Sequence, residues 1–205
     1  IRDQNDLKAS VNLGYQFENS LLQLNALLGR TNPPTDLRRK ILDFRRAEIT
    51  SRDVREDNKF IRDNWEVGGD YEYEFDSSAK YRVLFLINDS VSDFTRKRFD
   101  IRDSGEDKEL FIRSLGRDRE QILRTSYTWN IFSEHALELG VEGAHTIRNN
   151  GLLLGTKFSQ TQVSEITGGL PAVQVDNAFS EIQERRYEYF GIHNWQLNDR
   201  MALES

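Results

Sequence analysis

The sequence predicts an all-β fold: an antiparallel up-and-down meander of about eight strands, an open sheet forming part of a transmembrane β-barrel with long extracellular loops. The first observation behind this is a spacing. Short turns at Asn19-Ser20, Ser77-Ser78-Ala79, Ser133-Glu134-His135 and Asn198-Asp199 recur at roughly sixty-residue intervals and alternate with polar connections of about thirty residues. The second is alternation, because segments flanking the short turns place apolar residues on one parity and polar ones on the other. The third is position: Tyr15, Phe17, Tyr73, Phe75, Tyr81, Tyr127, Trp129, Phe132 and Trp195 all lie within a few residues of a short turn, as one aromatic girdle requires.

In the first hairpin Val11, Leu13, Tyr15 and Phe17 face Leu22, Leu24, Ala26 and Leu28, while Asn12, Gly14, Gln16, Gln23 and Asn25 take the other face. The connection from Thr31 to Asn64 opens with Asn32-Pro33-Pro34. Behind Thr35 as a cap, Leu37, Ile41 and Phe44 recur at helical spacing, which predicts a short surface helix with a solvated basic face.

The second hairpin alternates most cleanly. Trp65, Val67, Gly69, Tyr71, Tyr73 and Phe75 share one face, and Glu66, Gly68, Asp70, Glu72 and Glu74 the other. Across the turn, Tyr81, Val83, Phe85 and Ile87 continue the apolar face, with Phe75 expected opposite Tyr81 and Glu74 opposite Arg82. Trp65 stands ten residues before Phe75. At ~3.3 Å per residue and a tilt of about 40°, that is roughly 25 Å, the height of an outer membrane's apolar band. Trp65, Tyr71, Tyr73, Phe75, Tyr81 and Phe85, joined by Tyr127, Trp129 and Leu139 of the next hairpin, are therefore the expected lipid-facing or girdle residues.

The connection from Asp89 to about Arg119 is charged, and Phe111, Ile112 and Leu115 start the next strand early. In the third hairpin Leu123, Tyr127, Trp129 and Ile131 face Leu137, Leu139 and Val141, leaving Arg124, Ser126, Glu138 and Glu142 opposite. Asn149-Asn150-Gly151 and Gly168-Gly169-Leu170-Pro171 read as turns, with Leu152-Leu153-Leu154 packed in the loop between them. The last hairpin does not fix its outer face, because Phe190, Ile192, Met201 and Leu203 compete there with Tyr189, Trp195 and Ala202.

Composition bounds the function. A net charge of -6 and a pI near 5.2 argue against nucleic-acid binding, which needs a basic footprint. The longest run without a polar residue, Val83-Leu84-Phe85-Leu86-Ile87, is too short for a membrane helix, which excludes a helical membrane protein despite no bar to a barrel. There is no cysteine, as suits an envelope protein. The single methionine is Met201 and the last residues still alternate, so residues 1–205 are expected to be an internal fragment of a longer chain.

No catalytic, cofactor or metal constellation is expected. His135, His145 and His193 have no partner at ligand spacing, and Gly151–Lys157 is one residue short of a phosphate loop. The acid pairs Glu72 with Glu74 and Glu184 with Glu188 sit beside arginines, as in a hydrated wall with cross-strand ion pairs rather than a glycosidase site, so the chain is not read as an enzyme.

Three stretches resemble the TonB-dependent outer-membrane receptors of Gram-negative bacteria: Trp65–Tyr73, Arg124–Trp129 with His135–Ala144, and Glu184–Phe190 through Asn194–Leu197 to Leu203-Glu204-Ser205. The resemblance implies a barrel of roughly twenty-two strands filled by an N-terminal plug, with a segment that engages the TonB complex; the plug is absent from this chain. It further implies periplasmic short turns, contact with outer-membrane lipid and lipopolysaccharide, and import of an unspecified scarce nutrient such as a ferric siderophore, cobalamin or glycan. The inward residues Glu72, Glu74, Arg82, Arg124, Glu138, Glu142 and Arg186 become candidates to contact the plug or line the path. Two rivals stand beside this reading, a passive porin or other outer-membrane barrel, and a soluble all-β carbohydrate-binding or carbohydrate-active domain.

Overall fold

The computed structural model describes residues 6–43, 50–198 and 201–205. The strands are β1 (Leu7–Gln16), β2 (Ser20–Thr31), β3 (Pro34–Asp43), β4 (Thr50–Glu74), β5 (Lys80–Arg102), β6 (Gly105–Phe132), β7 (His135–Thr156), β8 (Val163–Ser164), β9 (Leu170–Pro171), β10 (Phe179–Asn198) and β11 (Met201–Glu204). All pairings are antiparallel, and the main sheet runs β1-β2-β4-β5-β6-β7-β10-β11 with β3 also paired to β4; β8 and β9 form a separate ribbon. The sheet is open, and the described residues contain no helix.

The predicted helix behind Pro34 is instead strand β3. Leu37 and Ile41 are four apart, a spacing that shares a face in a strand as well as in a helix, so the periodicity could not separate the two. Phe44 and Arg45-Arg46 lie outside the described residues. β2 and β3 pair with β4 in one unbroken register, Thr31 opposite Arg62 and Pro34 opposite Lys59. They form one long strand interrupted at Asn32-Pro33, where proline has no N–H for the ladder.

The long polar connections are therefore mostly strand, not loop. β5 and β6 stay paired out to Arg102 opposite Gly105, so the expected thirty-residue connection shrinks to the turn Asp103-Ser104. Asn149-Asn150-Gly151 and Leu152-Leu153-Leu154 belong to β7, paired with β6 and β10. A true loop remains between Thr156 and Phe179, and there Gly168 and Gly169 take φ of 68° and 78°, as the sequence suggested for that turn.

The short turns sit one residue away from their expected places. Phe17 N–H donates to the Ser20 carbonyl at 2.7 Å, which makes Glu18-Asn19 the turn pair. Phe75 N–H donates to the Ala79 carbonyl at 2.8 Å around Asp76-Ser77-Ser78, with Ser78 left-handed at φ 61°. Glu74 thus faces Lys80, and Arg82 faces Glu72. The third turn is Ser133-Glu134, with His135 already in β7 and a bulge before Phe132. Asp199 of the last turn lies outside the described residues, but the pairs Trp195 with Leu203 and Gln196 with Ala202 settle that hairpin: Trp195, Tyr189 and Leu203 share the aromatic face, Phe190 and Ile192 the other.

Four glycines in the strands are covered by rings on the neighbouring strand. Gly69 is directly opposite Phe85, Gly140 opposite Phe190, Gly143 opposite Tyr187 and Gly151 opposite Phe179. This is cross-strand aromatic cover of glycine, in which the missing side chain leaves a seat for the ring. A Cβ at Gly140 would run into the Phe190 ring and come within 2.8 Å of the Thr125 carbonyl, whereas one at Gly143 would meet Tyr187 at an ordinary 3.6 Å. Gly140→Ala is accordingly expected to destabilise the sheet by about 1–3 kcal/mol, and Gly143→Ala to be near neutral, as measured by denaturant unfolding in detergent.

Candidate functional site

Register fixes two faces in the half of the sheet nearest the short turns. One is aromatic: Tyr73, Tyr81, Tyr127 and Leu139 are opposite one another in sequence across four strands, and the next row runs Leu22, Tyr71, Val83, Thr125, Val141, Tyr189. The register also puts Trp65, Phe85 and Trp129 on that face, whereas Ile131, expected there, falls in the bulge before Phe132 and is left unpaired. Ring contacts join them near the turns, with Phe75 4.8 Å from Tyr73 and 5.9 Å from Tyr127, and Tyr127 5.6 Å from Trp129.

Six adjacent strands end this apolar stretch at similar depth. Moving away from the short turns, and past His135 and His193 beside them, the next ionisable residue on this face other than tyrosine is Arg30, Asp63, Asp89, Arg119, His145 and Arg185 on β2, β4, β5, β6, β7 and β10. Beyond that border the same face carries ion pairs, among them Arg30 with Asp63 at 3.6 Å and Asp89 with Arg117 at 2.7 Å and Arg119 at 3.2 Å.

The opposite face is charged, and it brings most of the expected inward residues into two groups. Lys80 reaches Glu72 at 2.8 Å and Glu74 at 3.6 Å, and Arg82 bonds Asp70 at 2.9 Å rather than the predicted Glu74. On the other side, Arg124 is directly opposite Glu142 yet lies over the Phe190 ring, 4.0 Å from its centroid. Glu142 and Glu188 face each other as like charges, a destabilising cross-strand pair, and Arg186 bridges them at 2.9 Å to each. Glu138 is opposite Thr128 and Ile192.

The half distant from the short turns holds residues that sequence reasoning missed. Glu109 is the extra residue of a bulge in β6 opposite Arg98 and Phe99, and its carboxylate is almost fully buried between Arg52 at 3.2 Å and Arg98 at 3.0 Å. Glu56 is likewise buried against Arg96 at 2.5 Å. A buried carboxylate needs such partners, and only the bulge, invisible to parity, turns Glu109 inward. The loop between β7 and β10 is strapped to the sheet by Lys108 Nζ donating to the Gly168 carbonyl at 2.7 Å and by Lys157 with Asp107 at 2.7 Å. The hydrogen bond from Lys157 holds the Asp107 carboxyl below its usual range, and the Arg55 guanidinium does the same for Glu106 while its own proton is held more tightly.

The sequence places His135, His145 and His193 without partners, and the fold corrects this for two of them: His135 Nδ1 lies 3.0 Å from His193 Nε2. The separation of 58 residues hides the pair until the β7–β10 register is known. Among the described residues no group of three or more His, Asp or Glu side chains is placed to hold a metal ion.

No family model and no curated protein matches the chain. A solved structure does: the ferric yersiniabactin uptake receptor FyuA from Yersinia pestis shares its fold with a TM-score of 0.56 at 9% sequence identity. The match covers 97% of this chain and 27% of the receptor, so the chain spans about a quarter of that protein's length.

Two outcomes follow for this region. Arg186→Met leaves Glu142 facing Glu188 and is expected to lower stability by up to about 1 kcal/mol, with most of the loss recovered by adding Glu188→Gln, in denaturant titrations. Because the folded-state values of Asp107 and Glu106 are depressed, their contribution is complete above the ordinary carboxylate range near pH 4 and is lost as pH falls through the lower folded values. Backbone hydrogen exchange in the 157–178 loop should therefore stay constant from about pH 7 to 5, after correction for intrinsic rates, and accelerate below about pH 4.

Proposed function

We propose that the chain is a wall segment of an outer-membrane β-barrel of the TonB-dependent receptor class that takes part in importing a scarce, large nutrient and carries no enzymatic activity. The observation that supports this best is the aromatic face. Leu13 is 62% exposed, Leu28 61%, Leu123 58%, Tyr187 73% and Tyr189 86%, all on one face of an extended sheet with no protein layer over it. A face of that size and sign belongs against lipid rather than water. The run from each short turn to the ionisable border is nine to thirteen residues, roughly 23–33 Å at a tilt of about 40°, comparable with the ~25 Å apolar band of an outer-membrane barrel.

On this reading the short turns lie in the periplasm, and the β4–β5–β6 extensions with the strapped loop project outside. The charged face lines the lumen, where Arg124, Arg186 and the acids around them meet the plug or the passing nutrient. The resemblance of Trp65–Tyr73 and the later stretches to TonB-dependent receptors, and the fold shared with a ferric yersiniabactin uptake receptor, support the receptor class over a soluble carbohydrate-binding domain. Which nutrient is carried would be decided mainly by residues beyond the border.

The absence of native cysteine makes topology directly testable. Ser104, exposed in the turn at the far end, and Ser77, exposed in a short turn, are each replaced by cysteine in the protein expressed in intact cells. Ser104→Cys should react with a membrane-impermeant maleimide, and Ser77→Cys only after the outer membrane is permeabilised. Equal labelling of both in intact cells would sink the proposal.

A further inference from the structure

His135 opens β7 directly after the Ser133-Glu134 turn, opposite Trp195, and His193 lies opposite Leu137. The two imidazoles are thus diagonal neighbours on the aromatic face. Their planes are within 3° of parallel, with centroids 5.2 Å apart. Rings stacked face to face keep their atoms about 3.5 Å or more apart, so an N···N distance of 3.0 Å means that they meet edge to edge. Each ring therefore directs one nitrogen at the other.

The pair is held in place on both sides. The Trp195 ring lies against His135 with centroids 5.1 Å apart and planes 19° from parallel, and Phe132 meets His135 edge-on at 5.9 Å. The backbone of His193 is fixed by a reciprocal pair of bonds with Ser205, at 2.9 and 3.0 Å, as well as by β7. The fold thus brings the two donors together before any ion arrives, which leaves only ring rotation to be ordered on chelation.

The geometry points to a transition-metal site in which His135 Nδ1 and His193 Nε2 act as a two-nitrogen clip. Adjacent ligands at the usual metal–imidazole length of 2.0–2.1 Å hold their donor atoms about 2.9–3.4 Å apart, and this pair stands at 3.0 Å. An ion at that length from both nitrogens sits about 45° off the N···N line, so each ring turns by about that much and the ion takes the place of the hydrogen bond. Water completes the coordination sphere on the open side. Calcium and magnesium require oxygen donors, whereas imidazole suits copper, nickel and zinc, with Cu2+ binding most strongly in the series. The site is carried by the β7–β10 register alone and does not depend on the transport reading.

The chain supplies both reporter and control. Trp195 against His135 is one of three tryptophans, so Cu2+ bound to the clip should quench part of the tryptophan emission saturably. His145, the third histidine, lies ten residues farther along β7. Cu2+ is titrated into the detergent-held full chain, followed by fluorescence and by electron paramagnetic resonance, which counts coupled nitrogens. The wild type and His145→Ala should show the same saturable quenching and coupling to two imidazole nitrogens. His135→Ala and His193→Ala should each bind about tenfold or more weakly and lose one nitrogen. His193→Phe keeps an aromatic ring beside His135, so an equal loss in that variant assigns the effect to ligation rather than folding. Unchanged binding in His135→Ala and His193→Phe, no saturable binding in the wild type, or loss confined to His145→Ala would each overturn the site.

Discussion

Everything in this structure depends on an antiparallel ladder kept in step over great length. β6 runs 28 residues and β4 25, and each is paired on both sides for most of that distance. Lateral hydrogen bonds satisfy the backbone without a core, and few hydrophobic side chains are buried: Val54, Ala79, Phe111 and Leu170 among the described residues. Once the ladder is set, parity assigns every side chain to a face. The aromatic rows, the ionisable border and the Arg186 bridge are consequences of one register rather than separate designs.

The exceptions to the ladder are equally informative. Pro33 removes ladder bonding without shifting the pairing of the residues on either side, so the break is chemical and not topological. The β6 bulge does the opposite, because it inserts Glu109 between paired residues and turns a carboxylate toward Arg52 and Arg98. In the first case the sheet tolerates a missing donor. In the second, a changed parity creates a buried ionic cluster that pattern alone could not place.

Sequence carried the meander and its faces, because alternation has a period of two and apolar and charged residues differ sharply in Trp65–Phe75 and its neighbours, but it set the partners two residues off: Tyr73 and not Phe75 is opposite Tyr81. It misplaced what alternation cannot see. Polar strand extensions such as Asp89–Arg102 alternate between two wet faces, so they looked like loop although β5 and β6 pair through them. Leu37 and Ile41 fit two periods at once. Arg82 chose Asp70 over Glu74 because a long side chain reaches diagonally as well as straight across, and the histidine pair required a register between strands distant in sequence.

The displaced turns have a consequence for how such a chain can change. Sliding a hairpin apex by one residue at fixed turn length, as Glu18-Asn19 does relative to Asn19-Ser20, moves the partner register by two and keeps each side chain on its side. A single extra residue is instead taken up locally, by a three-residue turn such as Asp76-Ser77-Ser78 or by a bulge such as those at Ile131 and Glu109. Composition and length can therefore vary in this architecture as long as turns and bulges restore the parity of each arm. Two chains can in this way share one fold at 9% identity: the ladder asks each position for the right side, and seldom for a particular residue.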